Sequence, residues 1–492
     1  MKRAFFVLGC LLAASLFAQQ IPPRPEALTY KTITFQPPAA KDHKAILKNG
    51  IPAFLVPDTS TGLVRIDLLV RGGGYMDPSD KAGLAQAFGG QWRAGGTLKT
   101  KAEDLDEQLA FLAASLNSTC SATQAALRLQ VLGKDLEEGL RLMMEVLLEP
   151  AFAPDRLDLM KKSTLQGIEA RNDSVMSIAG YQVPFLLNGE RHFSGRLVNA
   201  ASLEAITPGD LKAFHARLMH PANMMLAVSG KFDRPRMMAL LEQNFGKLKP
   251  LPSAAAAPAV PAPMYDRKPG IYVCHKDVPQ SLVFMAIPGL RRNDPDWFPT
   301  LVANEILGGG GMTARLMKKL RSDEGLTYGV YSSFSQGPYY RGDWSVQFQT
   351  KNRSVPYAIG LVLEQIERIK NEPVSDDDLK VVKGILVDAF PNQFESAQAV
   401  ANVFANDAAI GWPEGYTATF REKVLAVTKA DIQRVARKYF DLAKAVVFVA
   451  GSSAEAQAGD EKDHPGLLKD VLPLPVVLLP LRDPKTLKPI GE

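Results

Sequence analysis

Two stretches, "ITPGDLKAFHARLMHPANMMLAVSG" from Ile206 to Gly230 and "VTKADIQRVARKYFDLAKAVVFVAG" from Val427 to Gly451, decide how this chain is built. They match in kind at an offset of 221 residues. Each opens on a threonine with an acid three residues on, Thr207 with Asp210 and Thr428 with Asp431. That reciprocal arrangement satisfies the free backbone N–H groups at the start of a helix. Each closes on an apolar strand ending in glycine. Further upstream "EPAFAPDRLDLMKK" answers "EPVSDDDLKVVKG" at nearly the same offset, and "LVRGGGYMDP" answers "MAIPGLRRNDP", which sets Asp77 against Asp294. A period of this size marks a duplicated domain rather than a solenoid.

At 492 residues the chain is too long for a single core. Each copy reads as strand, helices, strand, helix, strand, with "VRIDLLVRGG" and "ALRLQVL" as strands of the first. Between them "TKAEDLDEQLAFLAASL" carries a capping box at Thr100 and Glu103 and a helical stripe at Leu105, Leu109 and Leu112. Strands with segregated helix pairs and few parallel-crossover signals give an α+β class. The expectation is two homologous sandwich domains, each a mainly antiparallel sheet covered by helices, forming a clam-like pair. The first domain spans 30–250, a Pro/Ala-rich semi-extended linker 251–266, the second domain 267–453, and an extended C-terminal tail 454–492. The tail's "VLPLPVVLLPLRDP" is too short and too broken by proline to span a membrane, so it is expected to lie over the protein or against a partner.

Residues 1–18 have a basic start at Lys2 and Arg3, an apolar run from Ala4 to Phe17 and small residues toward Ala18. This reads as a secretory signal, and the chain is expected to be secreted, in the periplasm. Beyond it only Cys120 and Cys274 remain, too few for a disulfide framework, and nothing in their spacing says whether they pair. A net charge of +5 is small for this length and argues against a nucleic-acid partner. The glycine run Gly308 to Gly311 lacks the Gly-Lys-Ser/Thr ending of a phosphate loop and reads as a flexible loop between helices.

One segment resists its pattern. "GLAQAFGGQWRAGGT", Gly83 to Thr97, sits where a buried helix belongs, yet Gly89 and Gly90 stand side by side in its middle. Each costs on the order of 1 kcal/mol relative to alanine. Together with the two-copy layout, the "KTKAEDLDEQLAFLAASL" and "EPAFAPDRLDLMKK" segments, "FHARLMHPANMMLAVSGKF" and "LMKKLRSDEGLTYGVYSSF", it resembles the pitrilysin/insulinase family of zinc peptidases, from about Tyr30 to Gly451. Active members carry His-x-x-Glu-His on this helix and a further Glu ligand well downstream. Laid on that motif, Gln86 replaces the first His, Gly89 the general-base Glu, Gly90 the second His, and Gln166 or Gly167 the downstream Glu. A catalytic zinc needs three protein ligands and an open position for water, so no metal is expected in this chain. His43, His192, His215, His220, His275 and His464 include no helical i, i+4 pair and read as structural, and Glu169 reads as a solvated helix residue.

The second copy keeps another constellation. Arg321 and Tyr328, in "LMKKLRSDEGLTYGVYSSF", match the Arg and Tyr that the family uses to hold the substrate backbone beside the zinc. Both are donors suited to a peptide carbonyl, and a tyrosine hydroxyl stabilises a developing oxyanion. The plain alternative is that Arg321 caps its helix and Tyr328, beginning a strand, packs beside the sheet. The resemblance implies a non-catalytic, substrate-binding subunit of the half-size bacterial branch. It would supply Arg321 and Tyr328 to the zinc site of a second family chain with an intact motif, acting on peptides. The alternative is an inactive structural or chaperone-like module.

Overall fold

A computed structural model describes residues 35–490 apart from 253, 264–266, 336 and 414, together with Arg24 and Leu28. Met1–Pro37 form one unit, in which Arg24, Leu28 and 35–37 are described, none in a helix or strand. The leader expected at 1–18 lies outside the described residues. Pro38–Glu492 form the other unit.

The unit holds two six-stranded sheets. The first is made of β1 (Lys44–Ile46), β2 (Pro52–Pro57), β3 (Leu63–Arg71), β4 (Ser115–Cys120), β5 (Gln124–Leu132) and β6 (Met224–Gly230), in the order β1-β2-β6-β3-β5-β4. Only β2 and β6 run parallel. The second is made of β7 (Gly270–His275), β8 (Gln280–Pro288), β9 (Val330–Phe334), β10 (Asp343–Lys351), β11 (Val446–Gly451) and β12 (Val476–Leu479), in the order β12-β7-β11-β8-β10-β9. Here β12, β7 and β11 are parallel and the remaining pairings antiparallel. Five strands of each sheet stand in the same order, the expected duplication; the sixth comes from the N-terminal side in one and from the tail in the other.

Both repeat helices start as their threonines require. Thr207 accepts from Asp210 N ahead of the Pro208–Leu218 helix and Thr428 from Asp431 N ahead of Lys429–Tyr439, and each acid returns to its threonine N–H. The box expected at Thr100 and Glu103 is absent. The helix there is Ala102–Phe111 with Lys101 at its cap, because Thr100 Oγ1 is drawn to Glu145 Oε2 at 3.0 Å. Leu105 and Leu109 still face the core.

The central strands β6 and β11 are apolar almost throughout because both their faces are covered. One face takes helices of its own half. The other takes a helix from the opposite half. Ala397–Ile410, from the second copy, packs on Phe54, Val56, Leu69, Met225 and Ala227 of the first sheet. Val175–Asn188, from the first copy, packs on Cys274, Leu282, Ala286, Val446 and Phe448 of the second. Serines cap both, Ser174 and Ser396, at almost the repeat spacing. Arg71 seals the exchange by donating to the last carbonyls of Ala397–Ile410, to Ala408 O and Ala409 O, each at 2.7 Å.

The linker residues 254–263 form no helix or strand and are pinned to the first half, with Asn223 Nδ2 donating to Ala255 O at 2.8 Å and Tyr75 hydroxyl to Pro258 O at 2.9 Å. The tail is more ordered than an extended segment. It forms two short helices, Ser453–Ala458 and Leu468–Val471, and then β12, flanked by prolines where a missing N–H breaks no ladder. It continues across the exchanged helix of the first half and the turn Ala170–Asn172 before it, with Gln182 Nε2 donating to Pro480 O at 3.0 Å and Asn172 Nδ2 to Arg482 O at 2.9 Å. Cys120 and Cys274 are both free thiols, one in each sheet. Among the described residues no helix is long and apolar enough to cross a membrane.

Candidate functional site

The helix carrying the substituted zinc positions is Leu84–Ala94. Its start is held by Asp77, whose carboxylate accepts from Ala85 N at 2.9 Å and Gly83 N at 3.0 Å. Burial pushes that carboxyl up to about 6, against the pull of those N–H groups and Arg196. Its inner face is anchored by Phe88 and Trp92, stacked at 5.0 Å, and by Trp92 Nε1 donating to Val146 O at 3.0 Å.

The three motif positions meet different surroundings. Gln86 is exposed, and Gly90 is exposed with nothing within 4 Å of where a β-carbon would stand. Gly89 is buried against β4. A β-carbon on it would lie 2.7 Å from the Thr119 carbonyl carbon and 2.8 Å from Cys120 Cβ, and closer still to the Cys120 backbone nitrogen. The contact is tied by Ser118 Oγ, which donates to Gly89 O at 2.7 Å and accepts from Arg93 N at 3.0 Å. The helix therefore rests backbone to backbone on β4, an approach open to glycine alone. Gln166 and Gly167 are exposed on the Pro154–Glu169 helix, and Glu169 pairs with Lys485 of the tail at 2.7 Å. These residues do not fit a catalytic zinc: the set offers amide oxygens and no imidazole, thiolate or carboxylate, and the base position has no room for a side chain. Among the described residues no group of three His, Cys, Asp or Glu has ligand geometry.

The histidines have structural surroundings. His215 is buried among Phe88, Trp92 and Phe152 with Nε2 2.7 Å from Leu147 O, and His464 stacks on Tyr357 at 3.7 Å. His43 stacks on Phe404, His192 meets Pro261 O, His220 accepts from Ala222 N and His275 meets Ser453.

Arg321 and Tyr328 are brought together. Arg321 lies in the π-helical turn Met317–Asp323, and the chain reverses at Gly325, whose φ of 62° favours glycine. Tyr328 falls in the turn before β9 rather than beginning the strand. The Arg321 guanidinium lies over its ring, 4.7 Å from the centroid, and Arg321 Nη1 is 3.5 Å from Met312 Sδ. Tyr328 is 87 % exposed, so its hydroxyl points to solvent instead of packing beside the sheet. The neighbouring glycine run is no loose loop at its start: Glu305–Gly309 continues the Trp297–Asn304 helix in π form, with Gly308 pressed against Ser332 of β9.

Beside Tyr328 lies a cleft of ≈ 810 Å³ on the part of the second sheet that the exchanged helix leaves open. Its floor is the solvent-side row of β10, Ser345, Gln347 and Gln349, with Tyr331 and Ser333 of β9 and Phe284 of β8. Motif reading missed these residues. The signal was the two-residue alternation of "DWSVQFQTK", in which Trp344, Val346 and Phe348 face the core.

Comparison with known proteins agrees with this architecture. The family profile described as Insulinase (Peptidase family M16) matches residues 54–182, and that described as Peptidase M16 inactive domain matches 205–386. The chain belongs to the insulinase family, M16. It is 24% identical over 404 residues to the non-peptidase homolog YmxG of Helicobacter pylori, covering 80% of this chain and 90% of that one. It is 28% identical over 236 residues to an uncharacterized zinc protease of Mycobacterium leprae, a match of 47% of this chain and about half, 52%, of the other. In fold it is similar to the crystal structure of a peptidase M16 inactive domain from Pseudomonas fluorescens, with a TM-score of 0.75 at 24% identity over 83% of this chain and 97% of that one.

Proposed function

We propose that this chain is the non-catalytic, substrate-binding subunit of a two-chain M16 peptidase. The carrying observation is an asymmetry between its halves. The first has lost every matched zinc ligand and has closed the base position with Gly89 on β4, while the second presents Arg321 and Tyr328 outward beside an open cleft. A buried scaffold has no use for an exposed tyrosine with a guanidinium over its ring. In this reading a second family chain with an intact His-x-x-Glu-His supplies zinc and base. Arg321 then donates to a carbonyl of the bound peptide, and Tyr328 stabilises the oxyanion that forms at the scissile one. The non-peptidase name of the Helicobacter relative supports the absence of independent activity. Secretion to the periplasm is part of the proposal and rests on the leader-like residues 1–18.

The test is co-expression with a motif-bearing family chain from the same genome. The expected result is a stable complex, with an interface of ~2,000 Å² or more, that cleaves peptides neither chain cleaves alone. Metal analysis should find zinc in the partner and none held stoichiometrically by this chain. Failure to co-purify, with the partner fully active by itself, would favour the structural role instead.

A further inference from the structure

We infer that the cleft beside Tyr328 receives an extended, uncharged stretch of peptide, so that the substrates this chain serves are selected for neutral polar and aromatic side chains. The inference rests on the reading that Arg321 and Tyr328 receive peptide, and it names the class.

The lining carries the argument. Gln347 and Gln349 of β10, with Ser333 and Ser345, give the floor side-chain amides and hydroxyls, each both donor and acceptor. A peptide backbone also presents both in alternation, so such a floor suits it without a charge on either side. Tyr328 and Tyr331, 87 % and 57 % exposed, add two aromatic faces at one side. No carboxylate lines the cleft among the described residues, and Lys351 is the one charged side chain there. A lysine or arginine brought onto this floor would lose water without gaining a counter-charge, which is costly, and a glutamate would find only Lys351, exposed at the end of β10, where an ion pair is worth little. The volume of ≈ 810 Å³ lies within the range of ligand clefts.

The geometry also says how the segment lies. At its middle the edge of β9 is occupied, since Asn304 Nδ2 reaches Ser332 O at 3.4 Å and Gly308 presses on the Ser332 backbone. An incoming strand is therefore received on the face of the sheet, by side chains, rather than added to this edge by main-chain pairing.

The experiment uses the purified full chain and three fluorescent peptides of about a dozen residues each. One is built of Gln, Ser, Ala and Tyr, and in the other two several of these are replaced by Lys or by Glu. By fluorescence anisotropy the neutral peptide should bind roughly tenfold more tightly than either charged one. Gln347→Glu should reverse the order between the neutral and lysine peptides with an unchanged circular dichroism spectrum. Equal binding of all three peptides, weakened by Tyr328→Ala, would overturn the inference and leave the Arg321/Tyr328 reading standing. Binding of chitotetraose with no peptide bound would overturn it in favour of a sugar. No binding of any probe, with Tyr328→Ala also without effect, would remove both readings.

Discussion

Gly89 and Cys120 stand so close that a β-carbon on the glycine would lie 2.8 Å from that of the cysteine and nearer still to its backbone nitrogen. The helix and β4 meet through their main chains, and neither can retreat without disturbing the core behind Phe88. Gly89→Ala should therefore destabilise the protein by about 1–3 kcal/mol, the ordinary cost of overpacking. Gly90→Ala, one residue on and facing open space, should stabilise it by roughly 0.5–1 kcal/mol. Urea denaturation of the two variants checks the opposite signs, and equal effects would mean that β4 leaves room for a β-carbon at Gly89.

His215 makes stability depend on pH. Burial pushes its imidazole below the ordinary 6.5, and the Leu147 carbonyl opposes this only in part. The folded state keeps it neutral while the unfolded chain takes up a proton. Its contribution is thus complete above 6.5 and is lost as pH falls from there through the lower folded value. Asp77 has the opposite sign: its contribution is complete below 3.8 and lost as pH rises through about 6. Comparing His215→Gln with the parent isolates the histidine, and the variant should lose less stability on acidification below 6.5.

Phe404 tests the exchange of helices. It reaches across from the second half to lie 6.0 Å from Phe54 and 5.9 Å from His43, at 6 % exposure. Phe404→Ala should cost about 3 kcal/mol, toward the low end for a large side chain near the edge of a core. Because each sheet takes its second cover from the other half, parent and variant should both unfold in one cooperative transition. Two separated calorimetric transitions would contradict that coupling.

These features differ in how far they could be read in advance. The duplication was legible because a capping box is a local code, and Thr207 with Asp210 and Thr428 with Asp431 carry it wherever the helix packs. The same code failed at Thr100, where Glu145, distant in sequence, competes for the hydroxyl. The exchange of helices left no local trace, since an apolar face at Val175–Asn188 looks the same whichever sheet it covers. The prolines of the tail hid β12, because they mark its ends and not its pairing. At the site, Gln86, Gly89, Gly90, Gln166 and Gly167 were found by position. That Gly89 closes the site while Gly90 leaves it open is a matter of tertiary approach. The cleft was missed because glutamine and serine on alternate positions of a strand carry no motif.

Arg321 should act in substrate binding as well as in turnover. In the two-chain complex Arg321→Ala is expected to raise KM and lower kcat, because a charge-assisted contact already present in the ground state is lost. Arg321→Lys should restore only part of the loss, since it keeps the charge without the planar fork that lies over Tyr328. Full rescue by lysine would reduce the role of Arg321 to bulk charge.

The most direct measurement is kcat of the complex carrying Tyr328→Phe, with assembly followed by size-exclusion chromatography. The substitution removes one hydroxyl from a side chain that is 87 % exposed, so folding and association should be unchanged. If the hydroxyl stabilises the oxyanion at the partner's zinc, kcat should fall by roughly 10²–10³. A complex that assembles normally and keeps full activity would contradict the shared site and leave the chain a scaffold.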